Sequence, residues 1–86
     1  MAKTTVIQNN PAAEIAGWYG TAAILVAYAL VSFSVISSDT IVFQFLNLTG
    51  SLGLFMIALV KKVYQSVTIN LIWGIIALVA LIRIFV

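Results

Sequence analysis

The chain has 86 residues, 64% of them hydrophobic and 7% charged, with four basic residues, two acidic ones and a net charge of +2. A soluble domain is roughly 25% charged, so this composition cannot dress a water-facing surface and lipid must cover most of the chain. It contains no cysteine and no histidine, which excludes disulfides and thiolate metal sites and leaves almost no raw material for a metal centre or a catalytic dyad. No enzymatic activity, cofactor or metal is expected, and the scattered bases do not suggest a nucleic-acid partner.

A membrane-crossing helix needs about 20 mostly apolar residues. Three segments qualify, residues 15–36, 41–60 and 67–86. A polar stretch, residues 1–10, comes first; its single Lys3 lies far from the apolar run, which is too long for a signal-peptide core. Such a stretch is normally disordered unless something holds it, so order there would imply a partner. The first span opens on "QNNPAAE", where Asn10 can cap, Pro11 suits the first turn and Glu14 favours the helix N-terminus. "SSDT" (residues 37–40) then breaks the chain, with Ser38 or Asp39 available to cap the second span, and "KKVYQS" (residues 61–66) separates the second from the third.

Both connections are short, so consecutive helices must be antiparallel neighbours. The expected fold is all-α, a three-transmembrane-helix up-down-up bundle forming one domain over residues 11–86. In that topology Lys3, Lys61 and Lys62 share one side of the membrane and Arg83 lies toward the other. The positive-inside rule then puts the N-terminus in the cytoplasm and the C-terminus outside, which for a bacterial protein means the inner membrane. Lys61, Lys62, Tyr64 and Arg83 read as interfacial anchors, each base near anionic lipid gaining about 1 kcal/mol. Trp18 and Tyr19 read as aromatics of the lysine side, with Phe85 able to play that part at the other end.

The second span contains "FQFLNLTGSLGLF", unusually polar and small for a membrane segment. Gln44, Asn47 and Ser51 share one helical face, with Gly50 beside them, Gly53 close by and Ala58 further along. On the first span Ala16, Gly20, Ala23 and Ala27 form a stripe with Gly17 alongside, and Tyr28 and Ser32 stand one turn apart. On the third Asn70, Gly74, Ala77 and Leu81 line up, with Trp73 flanking Asn70. Membrane helices associate through close packing over small residues and through side-chain hydrogen bonds. Each small face is therefore expected to meet another helix, and each branched face to meet lipid.

Asn47 and Asn70 have two readings, interhelical glue worth about 0.6–2 kcal/mol or a solute or ion path. Gln44 sits near the membrane edge, where it can reach headgroups. Trp73 is either a packing residue or a substrate platform, and a buried Tyr28 would need a hydroxyl partner such as Ser32 or a neighbouring Asn. Glu14 needs only the helix dipole to explain it, although an acid at the start of a first span is also a feature of small multidrug resistance transporters, which have four spans.

Through "GWYG", "QFLNLTGSLGL" and "INLIWGIIALVALIRI" the chain resembles a family of small, uncharacterised bacterial three-span membrane proteins. More remotely, the second and third spans are similar to SemiSWEET half-transporters and nicotinamide riboside carriers. That resemblance implies that Gly50 and Asn70 would face a central substrate path. The Pro-Gln hinge of the half-transporters is absent, the connection after the first span is shorter and the charge bias predicts the opposite orientation, so hinge gating does not carry over.

Two functions follow. The chain is expected to be a non-catalytic accessory or structural subunit, packing with itself or with a larger membrane complex. Alternatively it is a homo-oligomeric half-transporter for a small polar solute, with Asn47, Asn70 and Trp73 lining a midplane site.

Overall fold

A computed structural model describes residues 10–86, so the expectations about residues 1–9 lie outside the described residues. Three helices make up the described chain, α1 (Pro11–Ser32), α2 (Ile41–Val60) and α3 (Tyr64–Phe85), with no strand among the described residues. All three are long and apolar enough to cross a membrane. At about 1.5 Å per residue they measure roughly 30–33 Å, the thickness of a bilayer's hydrocarbon core.

Helix starts follow the local chemistry. Asn10 caps α1 through Oδ1, which accepts the Ala13 N–H at 3.1 Å, and Pro11 occupies the first helical position. At α2 the cap is Thr40, whose Oγ1 accepts the Phe43 N–H at 3.3 Å. The expected caps do other work: the Ser38 carbonyl accepts from Gln44 Nε2 at 2.8 Å, and Asp39 accepts from the Ser37 hydroxyl at 2.6 Å. Gln44 thus ties down its own connection. The third helix begins at Tyr64, three residues before the expected start at 67, because the turn needs only Lys61 to Val63.

Two residues other than glycine adopt left-handed backbone angles, Ser34 (φ 61) and Lys62 (φ 58). Each ends a helix the same way. Ser34 N–H donates to Val31 and Val35 N–H to Leu30, while Lys62 N–H donates to Leu59 and Val63 N–H to Ala58. These paired bonds form Schellman motifs that satisfy the last carbonyls of α1 and α2, and they stop α1 at Ser32, short of the expected 36. A side chain in this conformation costs about 1 kcal/mol relative to glycine. Ser34→Gly should therefore stabilise the protein by about 0.5–1 kcal/mol, read as a higher SDS fraction at the midpoint of unfolding in mixed micelles.

The extensive helix pairings are α1 with α2 and α2 with α3. The middle helix is the hub, and its two neighbours flank it as the walls of a groove. The buried core consists of small residues, among them Ala13, Ala23, Ala27, Ala58 and Ala77, while Leu, Ile, Val and Phe side chains populate the outer surface. Hydrocarbon solvates those side chains as well as protein would, so small residues between helices gain most from close approach.

Candidate functional site

Three features come from how α2 meets its flanks: a glycine seam with α1, a polar seam with α3, and the groove left between α1 and α3.

Gly20 of α1 lies against Gly50 and Gly53 of α2, and Gly17 against Ile57. A Cβ added at Gly20 would strike the Gly50 carbonyl oxygen, one at Gly53 would strike the Ala16 carbonyl oxygen, and one at Gly17 would lie 2.8 Å from Ile57 Cγ2. Backbone rests on backbone along this seam. On α1 the buried stripe is Ala13, Gly17, Gly20, Ala23 and Ala27. Gly20, Ala23 and Ala27 of the expected stripe and Gly17 alongside it are buried, whereas Ala16, its first member, is only half-buried and Ala13 joins the buried set. Ala16 meets α2 through its carbonyl, which lies against Gly53, rather than through its side chain.

A hydrogen bond crosses the same seam. Tyr19 Oη and Thr49 Oγ1 are 2.6 Å apart, and Thr49 Oγ1 also lies 2.9 Å from the Phe45 carbonyl. A carbonyl only accepts, so the threonine hydroxyl donates to it and the tyrosine hydroxyl donates to the threonine. Tyr19 stands eight residues, roughly 12 Å, beyond the start of α1. It is an interhelical clasp rather than the expected interfacial aromatic. Tyr19→Phe should cost about 0.6–1.7 kcal/mol in the same SDS titration, and an unchanged midpoint would remove the clasp from the account. At the membrane edge Lys61 Nζ and Glu14 Oε2 form an ion pair at 3.1 Å, joining the start of α1 to the end of α2. Glu14 thus has a partner beyond the helix dipole.

Toward α3 the same helix presents Asn47, Ser51 and Ala58, all buried. At about 100° per residue, Gly53 and Ser51 lie roughly 160° apart around α2. The expectation of one small face per helix gives way here, because a central helix needs two. Ser51 is 1% exposed and its hydroxyl has no hydrogen-bond partner. A Cβ at Gly74 would sit 3.5 Å from Ser51 Cβ, an ordinary contact, so this seam is looser than the first. Ala77 is buried in it, and Leu81 is half-buried further along α3.

Asn70 is 8% exposed and donates through Nδ2 to the Ser66 carbonyl at 2.8 Å, one turn back on its own helix. It borders clefts formed by α2 and α3 with Leu52, Phe55 and Ala58, and Trp73 lines neither of them. Gly50 faces Ile24 and Gly20 of α1. Gly50 and Asn70 therefore line no common path within one chain, because α2 stands between the surfaces they face.

Asn47 is placed differently. It forms the floor of a groove of about 350 Å³ walled by Leu25 and Tyr28 of α1 and by Trp73 and Ile76 of α3, with Gln44 at one end. Asn47 is 7% exposed and, among the described residues, its side chain makes no hydrogen bond. Tyr28 is 71% exposed, lines this groove and likewise has no partner there, Ser32 included. Gln44 also lines a second, neighbouring hollow of about 440 Å³, together with Ser38, Asp39, Arg83 and Ile84. A mainly apolar trough with Asn47 at its floor thus has an acid and a base beside one end. The anchors Lys62 and Tyr64 are exposed at the α2–α3 turn, beside Lys61. The tyrosine of the clasp and the isolation of Asn47 were not visible to spacing rules, which place residues on faces but do not say which hydroxyl reaches which neighbour.

A small integral membrane protein built on three apolar helices is the class this architecture defines. Within it, the chain belongs to a family of uncharacterised proteins, whose family model matches residues 13–86. No curated protein and no solved structure matches.

Proposed function

We propose that this protein is a non-catalytic subunit of the bacterial inner membrane, completed when another transmembrane surface docks over the groove between α1 and α3. One observation carries the reading: Asn47, 7% exposed as a residue, lines the groove floor and has no hydrogen bond among the described residues. An amide left unpaired away from water costs about 1–3 kcal/mol, and acyl chains offer it nothing. The small-residue faces expected to dock a partner are already occupied within the chain, since Gly17, Gly20, Gly50, Gly53 and Gly74 are all buried there. Docking falls to the groove instead. The excess of lysines at the α2–α3 turn supports a cytoplasmic N-terminus. Extraction from native membranes in mild detergent followed by mass determination tests the reading. A particle heavier than one 9.3 kDa chain is expected, and a bare monomer in lipid nanodiscs would end it.

A half-transporter is the second reading, and the groove itself favours it. Asn47, Trp73, Tyr28 and Gln44 share one trough, and Gln44 also lines the neighbouring hollow that holds Asp39 and Arg83. A small polar solute would meet Asn47 and Trp73 there, with Asn70 left to its bond with Ser66. Flux in proteoliposomes that is lost on Asn47→Leu but kept on Asn70→Leu is the signature of this reading. No flux for any small polar solute would retire it.

A further inference from the structure

We infer that the surface docking over the groove is a second copy of this chain, related to the first by a two-fold axis along the membrane normal, with α1 of each copy set against α3 of the other. The inference rests on the reading that the groove is a docking site, and goes further by naming the occupant.

Depth is the first reason. Asn47 lies well inside the span, six residues or roughly 9 Å from the start of α2, so its partner must carry hydrogen-bonding groups at that level. Identical chains insert in the same orientation, and rotation about the membrane normal leaves depth unchanged. Every residue of one copy therefore meets the other copy at its own depth. Two grooves facing each other enclose one interior into which both copies contribute Asn47, Tyr28 and Gln44. An amide offers two donors and an acceptor, so this set is self-complementary, as a two-fold interface requires.

Charge is the second. Asp39 lies in the connection that follows α1, and Arg83 lies near the end of α3. They line the same hollow at the mouth of the groove, yet among the described residues the ion pair within 4.0 Å is Glu14–Lys61, at the opposite membrane face. Bringing α1 of one copy against α3 of the other sets the acid of each mouth beside the base of the other. The pairing occurs twice, once on each side of the axis. An acyl chain filling the groove would satisfy neither Asn47 nor this mouth, and a foreign helix would have to match both depths by design of its own sequence.

The third is what the rims expose. Leu25 is 62% and Ile76 is 60% exposed, at similar heights on the two parallel walls. These are the residues a rim-to-rim contact would cover.

Because the chain has no cysteine, the test needs no background removal. Two differently tagged copies, one carrying Leu25→Cys and one Ile76→Cys, are co-expressed and oxidised in native membranes. A disulfide between the two tags is expected, and none when Leu52→Cys on the opposite face of α2 replaces Ile76→Cys. A second measurement uses charge. D39R alone and R83D alone each set like charges together and should lose self-association, whereas a D39R copy meets an R83D copy with opposite charges at both mouths. The mixed pair should be enriched about tenfold over either self-pair. This outcome distinguishes contact between copies from an ion pair within one chain, which mixing cannot rescue. If Leu25→Cys resists maleimide in a heavy particle yet forms no disulfide with a second copy, the occupant is another protein; the second-copy inference is then overturned while the docking reading stands. A monomer whose Leu25→Cys reacts freely overturns both.

Discussion

Gly20→Ala and Gly53→Ala should each destabilise the fold by about 1–3 kcal/mol, while Gly74→Ala should be neutral or stabilising. The three substitutions add the same methyl group, and all three sites are buried glycines within transmembrane helices. They differ only in what the methyl would meet. At Gly20 it meets the carbonyl oxygen of Gly50, and at Gly53 that of Ala16. Backbone cannot step aside as a side-chain end can, so α1 must lift away from α2 along its length, with the cost typical of overpacking. Lifting also stretches the Tyr19–Thr49 bond and the Glu14–Lys61 pair, which cross the same seam. At Gly74 the methyl finds Ser51 Cβ at 3.5 Å, fills space and gains the helix preference of alanine over glycine, about 0.8–1 kcal/mol in water. Equilibrium unfolding in mixed micelles, with SDS as the denaturant, ranks the three directly. Equal effects at Gly53 and Gly74 would show that the two seams are equally tight, contrary to the geometry.

Asn47→Leu has the next largest expected effect, and its sign should depend on what covers the groove. In the isolated chain Asn47 lines the groove floor without a hydrogen-bond partner and faces hydrocarbon, so its removal should raise stability by about 1–2 kcal/mol. In the assembled protein the amide is expected to bond across the interface, and its removal should weaken association by about 0.6–2 kcal/mol per contact. The same variant should thus unfold later as a dilute monomer and associate less in the membrane. Asn47→Ala, which adds no bulk, controls for overfilling the groove. Unfolding midpoint and association, measured on one preparation, decide the matter. A fall in both would mean the amide serves the monomer's own packing, and the groove would lose its claim to a partner.

Helix number, type and membrane character were legible in the sequence because they rest on local and additive properties. Runs of about 20 apolar residues, a proline after Asn10 and short polar breaks at residues 37–40 and 61–66 dictate three antiparallel spans whatever the helices then do. The polar and small residues were also legible as seam material, since hydrocarbon gives Gly, Ala and Asn no reason to face it. Boundaries were less so. The left-handed turns at Ser34 and Lys62 end their helices without glycine, the usual sign, so the end of the first span was placed four residues late and the start of the third three residues late.

Tertiary structure alone decided which seam each small residue joins. One stripe per helix suits three helices meeting around an axis, but α2 lies between two neighbours, and a central helix must divide its small residues between them. Gly50 and Gly53 turn toward α1, Asn47 and Ser51 toward α3, and Asn70 toward its own Ser66 carbonyl. Periodicity assigns a residue to a face through its own helix's geometry; which helix stands opposite depends on the rotation of two bodies about each other. That rotation is set by backbone contact at Gly20 and Gly53, and it is also what leaves Asn47 alone at the bottom of an open groove.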